Sequence, residues 1–439
     1  MINSRDRRGR IRARGAMVVA TAVSIGSLMA GCGFVNSGSG QNDGGRSGSV
    51  ALKGFVNTSQ KTALDTVLPS CSKQTGVKVD LTQMSTDDLN QQLRVQLSSG
   101  TAPDLFRVSP GNSSPVAAGI LGKAGNLADI SSSGWTDGLS DASRPLAEVD
   151  GKVMAFPVSS NAIVVAYNKK VLKDAGVSVP TTWSEFLSAG ESLKRSGVTP
   201  ISAGYVDGVA IQFPIYALAA SLVYGPNPGI DQQMTAGKTS FSDDKAWQEV
   251  FTKFDTLAQK GYLTKDSLGT PEDQAMQALA GGKAGMMVLV SASLPALYEY
   301  AENGADDFGV FALPATDDAR QTYVPIAPDF LAVNAQASDV DAATKVIDCL
   351  AEPGNVNTAA KAIGSLPGLQ IDDPVVPDDL TGLKPLLNGG KSAPFANYMW
   401  PNADTQQRLL QSGQELVDGS IDVKELTKQL DTEYAKGTP

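Results

Sequence analysis

Histidine is absent from this chain of 439 residues, and cysteine occurs only three times. Without imidazole there is no Ser-His-Asp or Cys-His catalysis and no histidine-ligated zinc or haem site, and three cysteines cannot form a Cys₄ zinc site. An excess of positive charge is missing too, since 36 Lys and Arg stand against 46 Asp and Glu, for a net charge of −10. Such a charge argues against a nucleic-acid partner. We therefore predict no metal, no cofactor and no nucleic acid.

Residues 1–31 have the composition of a bacterial export signal. Six arginines within residues 5–14 precede an apolar stretch, residues 16–28, that is too short to span a bilayer. The signal ends in Leu28-Met29-Ala30-Gly31-Cys32, which resembles a lipobox, and Cys32 is therefore predicted to become the lipidated first residue. An ordinary signal with a coincidental cysteine is the alternative, and Arg7-Arg8 leaves twin-arginine export open.

Residues 32–49 are predicted to form a flexible tether, because they are rich in Gly, Ser and Asn and contain no aliphatic residue after Val35. Cleavage before Cys32 leaves 30 basic and 45 acidic residues, a net charge of −15. The remaining cysteines, Cys71 and Cys349, then lie in an oxidising compartment, which favours one disulfide over two separate thiols. Lipid and tether together place the globular body at the outer face of a membrane.

Strand and helix patterns alternate through the globular body. Residues 50–56, 77–81 and 103–108 have strand patterns, and helical periodicity fills the two intervals between them. In the second interval, Ser85 begins the helix as a capping residue and Gly100 ends it. This β-α-β-α-β order, which recurs downstream, predicts an α/β fold with a mostly parallel sheet and helices on its faces.

Several short motifs are spread along the chain. They are SGTAPDLF (99–106), GKVMAFPV (151–158), VAYNKKVL (165–172), AGV (175–177), PTTW (180–183), GKAGMM (282–287), FGVFALP (308–314) and GSLP (364–367). In this order they resemble the bacterial extracellular solute-binding proteins of family 1, the maltose-binding-protein-like substrate receptors of ABC importers. The resemblance spans nearly all of residues 50–435.

The resemblance implies two α/β lobes of interleaved chain, with central mixed sheets flanked by helices and a ligand cleft at the hinge. The chain is expected to cross between the lobes three times, near Ser159, Pro314 and Leu369. The resulting lobes are an N-lobe, residues 50–158 and 315–368, and a C-lobe, residues 159–314 and 369–439. Cys71 and Cys349 fall in the same lobe, which strengthens the disulfide prediction.

The resemblance also implies a function. The protein is expected to bind a small solute, most simply a mono- or oligosaccharide, and to deliver it unchanged to the membrane subunits of an importer. It is expected to be a monomer, anchored by Cys32 to the extracytoplasmic face of the membrane of a Gram-positive bacterium. A solute that bridges both lobes would favour the closed state, and the closed state would be recognised by the permease.

Candidate ligand-binding residues lie in loops at the carboxyl ends of strands, where open α/β sheets bind ligands. Their hydroxyls, amides and carboxylates suit the donors and acceptors of a sugar, and their aromatic rings suit its C–H faces. They are Asn57, Thr58, Ser59, Gln60, Arg107, Ser109, Asn112, Asn161, Tyr205, Asp207, Gln212, Ser291, Ser293, Asp329, Tyr398 and Trp400.

The sequence departs from the family pattern in ways that leave alternatives open. Many sugar receptors have a tryptophan after the GKAGMM motif, where this chain has Ala292. Arg107 and Asp329 could instead recognise a charged group on an amino sugar, a sugar acid or a polyamine. A secreted glycoside-acting enzyme is a remoter alternative, although no sequence feature singles out the pair of carboxylates that such an enzyme needs.

Overall fold

The computed structural model describes residues 50–437. The predicted signal, lipidation residue Cys32 and tether lie outside the described residues. The strands are β1 (Val50–Val56), β2 (Val77–Gln83), β3 (Leu105–Val108), β4 (Glu148–Val149), β5 (Lys152–Val153), β6 (Phe156–Asn168), β7 (Thr199–Ile201), β8 (Ala284–Val290), β9 (Phe308–Phe311), β10 (Val324–Val333), β11 (Leu366–Pro367) and β12 (Ser392–Pro394).

Helices pack on both sides of these strands. They are α1 (Thr58–Thr75), α2 (Thr86–Ser99), α3 (Ala118–Lys123), α4 (Arg144–Ala147), α5 (Lys169–Asp174), α6 (Trp183–Arg195), α7 (Gln212–Ala219), α8 (Ile230–Thr235), α9 (Lys245–Gln259), α10 (Glu272–Ala280), α11 (Leu294–Tyr298), α12 (Val340–Leu350), α13 (Pro353–Ala362), α14 (Lys384–Asn388), α15 (Ala403–Val417) and α16 (Val423–Tyr434). None of the helices within residues 50–437 is long and apolar enough to cross a membrane.

The predicted α/β fold with mixed sheets is confirmed. One sheet runs in the order β2-β1-β3-β10-β6-β8-β7, and β9, β11 and β12 pair with its two central strands. Strand β1 is parallel to β2 and β3, as the alternating sequence pattern predicts. Strands β10 and β6 are antiparallel to each other and to their outer neighbours β3 and β8. The sheet therefore has parallel pairs at both edges and antiparallel pairs at its centre, so the expectation of a mostly parallel sheet is wrong.

The helix ends follow from local sequence. Ser85 caps α2 by accepting a hydrogen bond from the backbone of Asp88, and Gly100 ends that helix in a left-handed conformation with φ of 68°. Asn57 caps α1 in the same way, by accepting from the backbone of Gln60. The cap at Asn57 fixes where α1 begins, and this start lies at the functional site described below.

Two lobes are defined by separate apolar cores. The first core includes Phe106 of β3 and Ile347 of α12, and it contains the carboxyl-terminal half of β10. The second lobe has a large core around Trp247 of α9 and a smaller one that includes Leu380 and Leu383. Strand β6 belongs to both lobes, because Phe156 pairs with β10 beside the first core whereas residues 163–167 pair with β8.

The second crossing differs from its predicted place near Pro314. Ala315 and Val324 are buried in the cores of the second lobe, and the chain reaches the first lobe within β10, where Phe330 pairs opposite Val108. The third crossing falls between Leu369, which lies in the first core, and Val376, which packs against the second lobe. Strand β10 itself takes the chain from one lobe to the other. It is one continuous strand that pairs with both β6 and β3, and so it contacts both lobes.

The first lobe contains a disulfide. Cys71 of α1 and Cys349 of α12 are joined, with their Cα atoms 5.7 Å apart and 278 positions between them in sequence. Both side chains are buried in the first core. The bridge therefore ties the helix that begins at the functional site to a helix from the distant end of the chain.

Candidate functional site

A cavity of about 340 Å³ lies where β6 and β10 pass between the two lobes, and we call it the front cavity. The first lobe contributes the start of α1 and the end of β3, and the second lobe contributes the turn after β8. Seven of the sixteen residues predicted from the sequence line it together: Asn57, Ser59, Arg107, Asn161, Ser291, Asp329 and Tyr398.

An ion pair forms the polar centre of this cavity. The Nε of Arg107 on β3 lies 2.7 Å from Oδ1 of Asp329 on β10, and both side chains are largely buried. The strands explain the contact: Leu331 pairs directly opposite Arg107, and Asp329 projects from the same face of β10 two positions earlier. The Nη1 atom of Arg107 is buried and has no hydrogen-bond partner among residues 50–437. One nitrogen of the guanidinium is thus left without a hydrogen-bond partner among these residues.

Burial and charge act against each other at Asp329. Burial raises the pKa of the Asp329 carboxyl, while the Arg107 guanidinium and the Asn57 amide lower it in part by stabilising the carboxylate. Because the cation and the anion are adjacent, the pair adds no net charge to the cavity. The centre of the cavity is therefore strongly polar but electrically balanced.

Neutral hydrogen-bonding groups surround the ion pair. Asn161 Oδ1 lies 3.5 Å from the hydroxyls of both Ser291 and Ser365, and the Ser291 hydroxyl in turn accepts from the backbone of Ala162 at 3.0 Å. Asn161 sits on β6 opposite Ala327 of β10, so it faces the same side of the hinge as Asp329. These contacts bring an amide from the hinge, a hydroxyl from the second lobe and a hydroxyl preceding β11 to one point.

Tyr398 is held against the first lobe by its backbone. Its carbonyl accepts a hydrogen bond from the amide of Asn112 at 2.6 Å. Gly111 has a φ of 54°, and a Cβ there would collide with the Tyr398 carbonyl, so this close approach requires glycine. Burial raises the pKa of the Tyr398 hydroxyl, which stays protonated and able to donate. The ring thereby forms one wall of the front cavity.

Nine predicted ligand-binding residues do not line this cavity: Thr58, Gln60, Ser109, Asn112, Tyr205, Asp207, Gln212, Ser293 and Trp400. Trp400 is 1% exposed and is packed edge-on against Tyr216 and Phe241. An indole enclosed in this way belongs to the core of the second lobe and offers no face to a solute.

Several of the others are occupied by structural roles. Gln60 is fully buried, and its Nε2 donates to the Phe330 carbonyl of β10 at 2.9 Å. Gln212 Oε1 accepts from Gln406 at 2.8 Å, and Ser109 bonds through its backbone to Val116. Tyr205 is buried and its carbonyl accepts from Gln414. Polar residue type in a loop does not separate such roles from ligand contact.

Sequence reasoning missed eight lining residues: Pro110, Ala292, Pro295, Ala327, Pro328, Ile363, Gly364 and Ser365. Most are apolar and form the apolar walls of the cavity, which a search for polar side chains does not find. Ser365 is the exception, because it lies within the GSLP motif and next to Asn161. Its place in a family motif was a signal that it lies near the hinge.

The front cavity combines hydrogen-bonding groups with apolar walls. It offers donors, acceptors and apolar walls, and among the described residues that line it Asp329 is the one carboxylate. No group of three or more Cys, Asp or Glu side chains within residues 50–437 is placed to hold a metal ion. Two α/β lobes joined by hinge strands around such a cavity define a solute-binding protein.

Comparison with known sequences identifies the family. The model of the bacterial extracellular solute-binding proteins matches residues 62–357, and the chain belongs to that family. The multiple sugar-binding protein of Streptococcus mutans is 25% identical over 295 residues, which are 66% of this chain and 68% of that protein. The recognition made from the motifs is therefore confirmed.

Solved structures agree on the fold. A family 1 extracellular solute-binding protein from Bifidobacterium longum subsp. infantis superposes with a TM-score of 0.76 at 24% identity, covering 89% of this chain and 100% of that one. The solute-binding protein RafE in complex with raffinose superposes with a TM-score of 0.68 at 18% identity, covering 89% and 100%. Family members are binding proteins that work outside the cytoplasm, as the name of the family states.

Proposed function

We propose that this protein is a membrane-anchored receptor of an ABC importer and that it binds a neutral mono- or oligosaccharide in the front cavity. The observation that carries the proposal is the buried Arg107–Asp329 pair, which balances its own charge and leaves Arg107 Nη1 without a partner. A sugar hydroxyl both accepts and donates, so one diol can accept a hydrogen bond from the Arg107 guanidinium and donate one to the Asp329 carboxylate.

The same pair disfavours the charged alternatives. A sugar acid would gain from Arg107 but would be repelled by Asp329 within the same few ångströms, and an amino sugar or polyamine would meet the reverse. Either ion would also lose its hydration in a cavity whose walls include Pro110, Pro295 and Ile363. A neutral polyol avoids both costs.

The relatives support a carbohydrate rather than another neutral solute. The curated protein from S. mutans is named for sugar binding, and RafE was solved with raffinose. A glycoside-acting enzyme is disfavoured because Asp329 has no second carboxylate beside it in the described lining, whereas retaining glycosidases place two about 5–5.5 Å apart.

The proposed mechanism is closure around the sugar. Ser291 from the second lobe and Asn57 from the first line the same cavity, so a sugar that bonds to both stabilises the closed arrangement. The permease then recognises the closed surfaces of a single receptor molecule. Solution scattering with and without saturating sugar tests this step, since the radius of gyration should fall on binding, and an unchanged radius would argue against closure.

The ligand class can be tested by tryptophan fluorescence. We expect saturable changes with neutral sugars from a panel of raffinose, maltotriose, cellobiose and galactose, and none with glucuronate, glucosamine or spermidine at the same concentrations. Binding of a charged compound alone would favour the alternative ligand class. Release of a cleaved sugar would show an enzyme.

A matched pair of variants tests the location of the site. Asn161→Ala removes an amide from the front cavity and should weaken sugar binding about tenfold, the effect of about one hydrogen bond. Asn126→Ala removes an amide that does not line this cavity and should leave the affinity unchanged. Equal effects of the two variants would place the site elsewhere.

The lipid anchor is a separate part of the proposal. Its support is the lipobox-like ending at Cys32 and the extracellular family to which the chain belongs. Cells that express the protein and are fed an alkyne-labelled palmitate should incorporate the label, and Cys32→Ala should abolish labelling and release the protein into the medium. Labelling that persists in the variant would refute anchoring at Cys32.

A further inference from the structure

A glutamine occupies a core position of helix α1. The buried face of this helix consists of Gln60, Ala63, Leu64, Val67 and Cys71, which recur at helical spacing. The last four are apolar or joined in the disulfide, whereas Gln60 is polar and fully buried. An apolar residue is expected at this point of the stripe. The amide at position 60 therefore needs an explanation other than packing.

Burying this amide carries a cost. The Nε2 atom of Gln60 donates to the carbonyl of Phe330 at 2.9 Å, but Oε1 has no hydrogen-bond partner among residues 50–437. A methionine has a similar length and shape and would leave no such acceptor unsatisfied in the core. The contribution of Gln60 must therefore come from the one hydrogen bond that its side chain does make.

That hydrogen bond is made at an irregularity of the hinge strands. Strand β10 pairs with β6 in antiparallel register, and the register shifts between Asp329 and Phe330. Asp329 lies opposite Ser159 and Phe330 lies opposite Pro157, so β6 has one extra residue at this point. Such a bulge changes the direction of nearby side chains. The residue beside the shift is Asp329, the carboxylate that pairs with Arg107 in the front cavity.

The first turn of α1 contacts β10 on both sides of this shift. Asn57 accepts a hydrogen bond from the backbone amide of Gln60 at 2.8 Å, and its own side chain donates to the Asp329 carboxylate. The Gln60 side chain then binds the Phe330 carbonyl. Two adjacent residues of β10 are thus each held by one amide from the same helical turn. The shape of the strand at the ion pair therefore depends on α1.

We propose that Gln60 is a positioning residue for sugar binding. Through the Phe330 carbonyl it holds β10 at the shift in register, and it thereby fixes the direction in which Asp329 points towards Arg107 and the sugar. Gln60 does not line the front cavity and does not touch the ligand. Groups that bind a ligand must be held to within about 0.5 Å, and hydrogen bonds from the residues behind them provide this support. The inference rests on the proposed function, because it concerns the same sugar at the same site.

Gln60→Met removes the amide and keeps the length of the side chain. The dissociation constant of the tightest-binding neutral sugar should rise about fivefold, because the carboxylate is no longer held in line. The unfolding temperature should change by no more than about 3 °C, since the loss of one hydrogen bond is offset by removal of a buried oxygen without a partner. Calorimetric titration and thermal unfolding measure the two quantities.

Gln60→Glu separates the hydrogen bond from packing. Burial raises the pKa of the introduced carboxyl, so at pH 5 it is neutral and can donate to the Phe330 carbonyl as the amide does. At pH 5 its sugar affinity should lie within about twofold of the wild type, while Gln60→Met stays about fivefold weaker. At about pH 9 the carboxyl ionises and cannot donate, so the affinity should fall relative to the wild type at the same pH. Equal affinities of the two variants at pH 5 would overturn the proposal.

Asn334→Leu is the matched control. Asn334 follows the far end of β10, and its Nδ2 donates to the carbonyls of Ala102 and Pro103 at 3.2 and 3.0 Å. It is also a buried amide that binds the backbone of the first lobe, but it does not line the front cavity. This variant should lower the unfolding temperature and leave the sugar affinity unchanged. A loss of affinity as large as that of Gln60→Met would show that general destabilisation, and not positioning, is the cause.

A second measurement needs no sugar. Burial raises the pKa of Asp329, and Arg107 and Asn57 lower it in part. A carboxyl displaced from these donors loses part of their effect, so Asp329 should titrate at a higher pH in Gln60→Met than in the wild type. Carboxyl ¹³C NMR of the unliganded protein, assigned with Asp329→Asn, measures this. If the wild type binds no sugar, the proposed function fails while this titration still tests the positioning, and an unchanged titration would overturn it.

Discussion

Two buried carboxyl groups in this molecule differ in the side chains that neighbour them: one has a cation and the other has neutral hydroxyls. Asp329 lies in the front cavity beside Arg107, with Nε 2.7 Å from Oδ1. Asp231 of α8 lies inside the second lobe and accepts from the hydroxyl of Tyr224 at 3.1 Å, while the Tyr434 hydroxyl donates to its backbone carbonyl. Burial raises the pKa of both carboxyls. Asp329 has a neighbouring cation, Arg107, that offsets the effect of burial on its pKa, whereas the neighbours of Asp231 are tyrosine hydroxyls.

The difference separates a binding group from a structural one. Arg107 lowers the pKa of Asp329 in part, and both side chains line the front cavity, so the pair can contact a ligand. Burial raises the pKa of Asp231 to about 7, although the Tyr224 hydroxyl lowers it in part, and the carboxyl is therefore a proton-binding group of the core. The predictions below test whether the two carboxyls differ in this way.

The largest effect is expected from Arg107→Met. Removing the cation leaves Asp329 buried without a counter-charge, which should lower the free energy of unfolding by about 3–5 kcal/mol and abolish sugar binding. Urea unfolding and calorimetric titration measure the two effects. Adding Asp329→Leu should restore most of the stability without restoring binding. Restored binding in the double variant would show that the pair has no role in recognition.

Asp231→Asn should change how stability depends on pH. Because the pKa of Asp231 is about 7 in the folded state and 3.8 when unfolded, the unfolded chain loses this proton first as pH rises. The wild type should therefore lose up to about 4 kcal/mol of stability between about pH 4 and pH 7, and no more above that range. The variant should lack this loss, as measured by urea unfolding at pH 5 and pH 8. Parallel pH profiles for the two proteins would contradict the assignment.

Two tyrosine variants should separate stability from affinity. Tyr224→Phe removes hydrogen bonds to Asp231 and to the Ala396 carbonyl, and we expect a loss of about 1–2 kcal/mol in stability with unchanged sugar affinity. Thermal unfolding and fluorescence titration, run on the same samples, give both quantities.

Tyr398→Phe should have the smallest effect. Its hydroxyl lines the front cavity, so its loss should weaken sugar binding about fivefold while the unfolding temperature stays within about 1 °C of the wild type. If Tyr398→Phe lowers stability and Tyr224→Phe lowers affinity, the division between a ligand-binding and a structural cluster is wrong.

Local features of the fold were predictable from sequence. The start of α2 at Ser85, its end at Gly100 and the parallel order of β2, β1 and β3 follow from capping residues and hydrophobic periodicity. The crossing within β10 was not predictable, because Pro325 and Pro328 are atypical of a central strand. The register of β10 also depends on strands that are far away in sequence.

The site was predictable only as a set of residue types. The sequence predicts Arg107 and Asp329 as separate ligand-binding residues, suited to a sugar or, as the alternative, to a charged solute. The structure shows that they neutralise each other across 222 positions of sequence. Trp400 was selected as an aromatic platform and lies in the core. Local sequence gives the chemistry of a side chain, whereas its partner depends on how strands pair.

The most direct test is a crystal structure of the wild-type protein with the neutral sugar that binds it most tightly. We predict a sugar ring in the front cavity, with one hydroxyl within about 3.2 Å of a guanidinium nitrogen of Arg107 and a neighbouring hydroxyl donating to Asp329. A sugar bound outside the front cavity, or one that makes no contact with either residue, would contradict the role assigned to the ion pair.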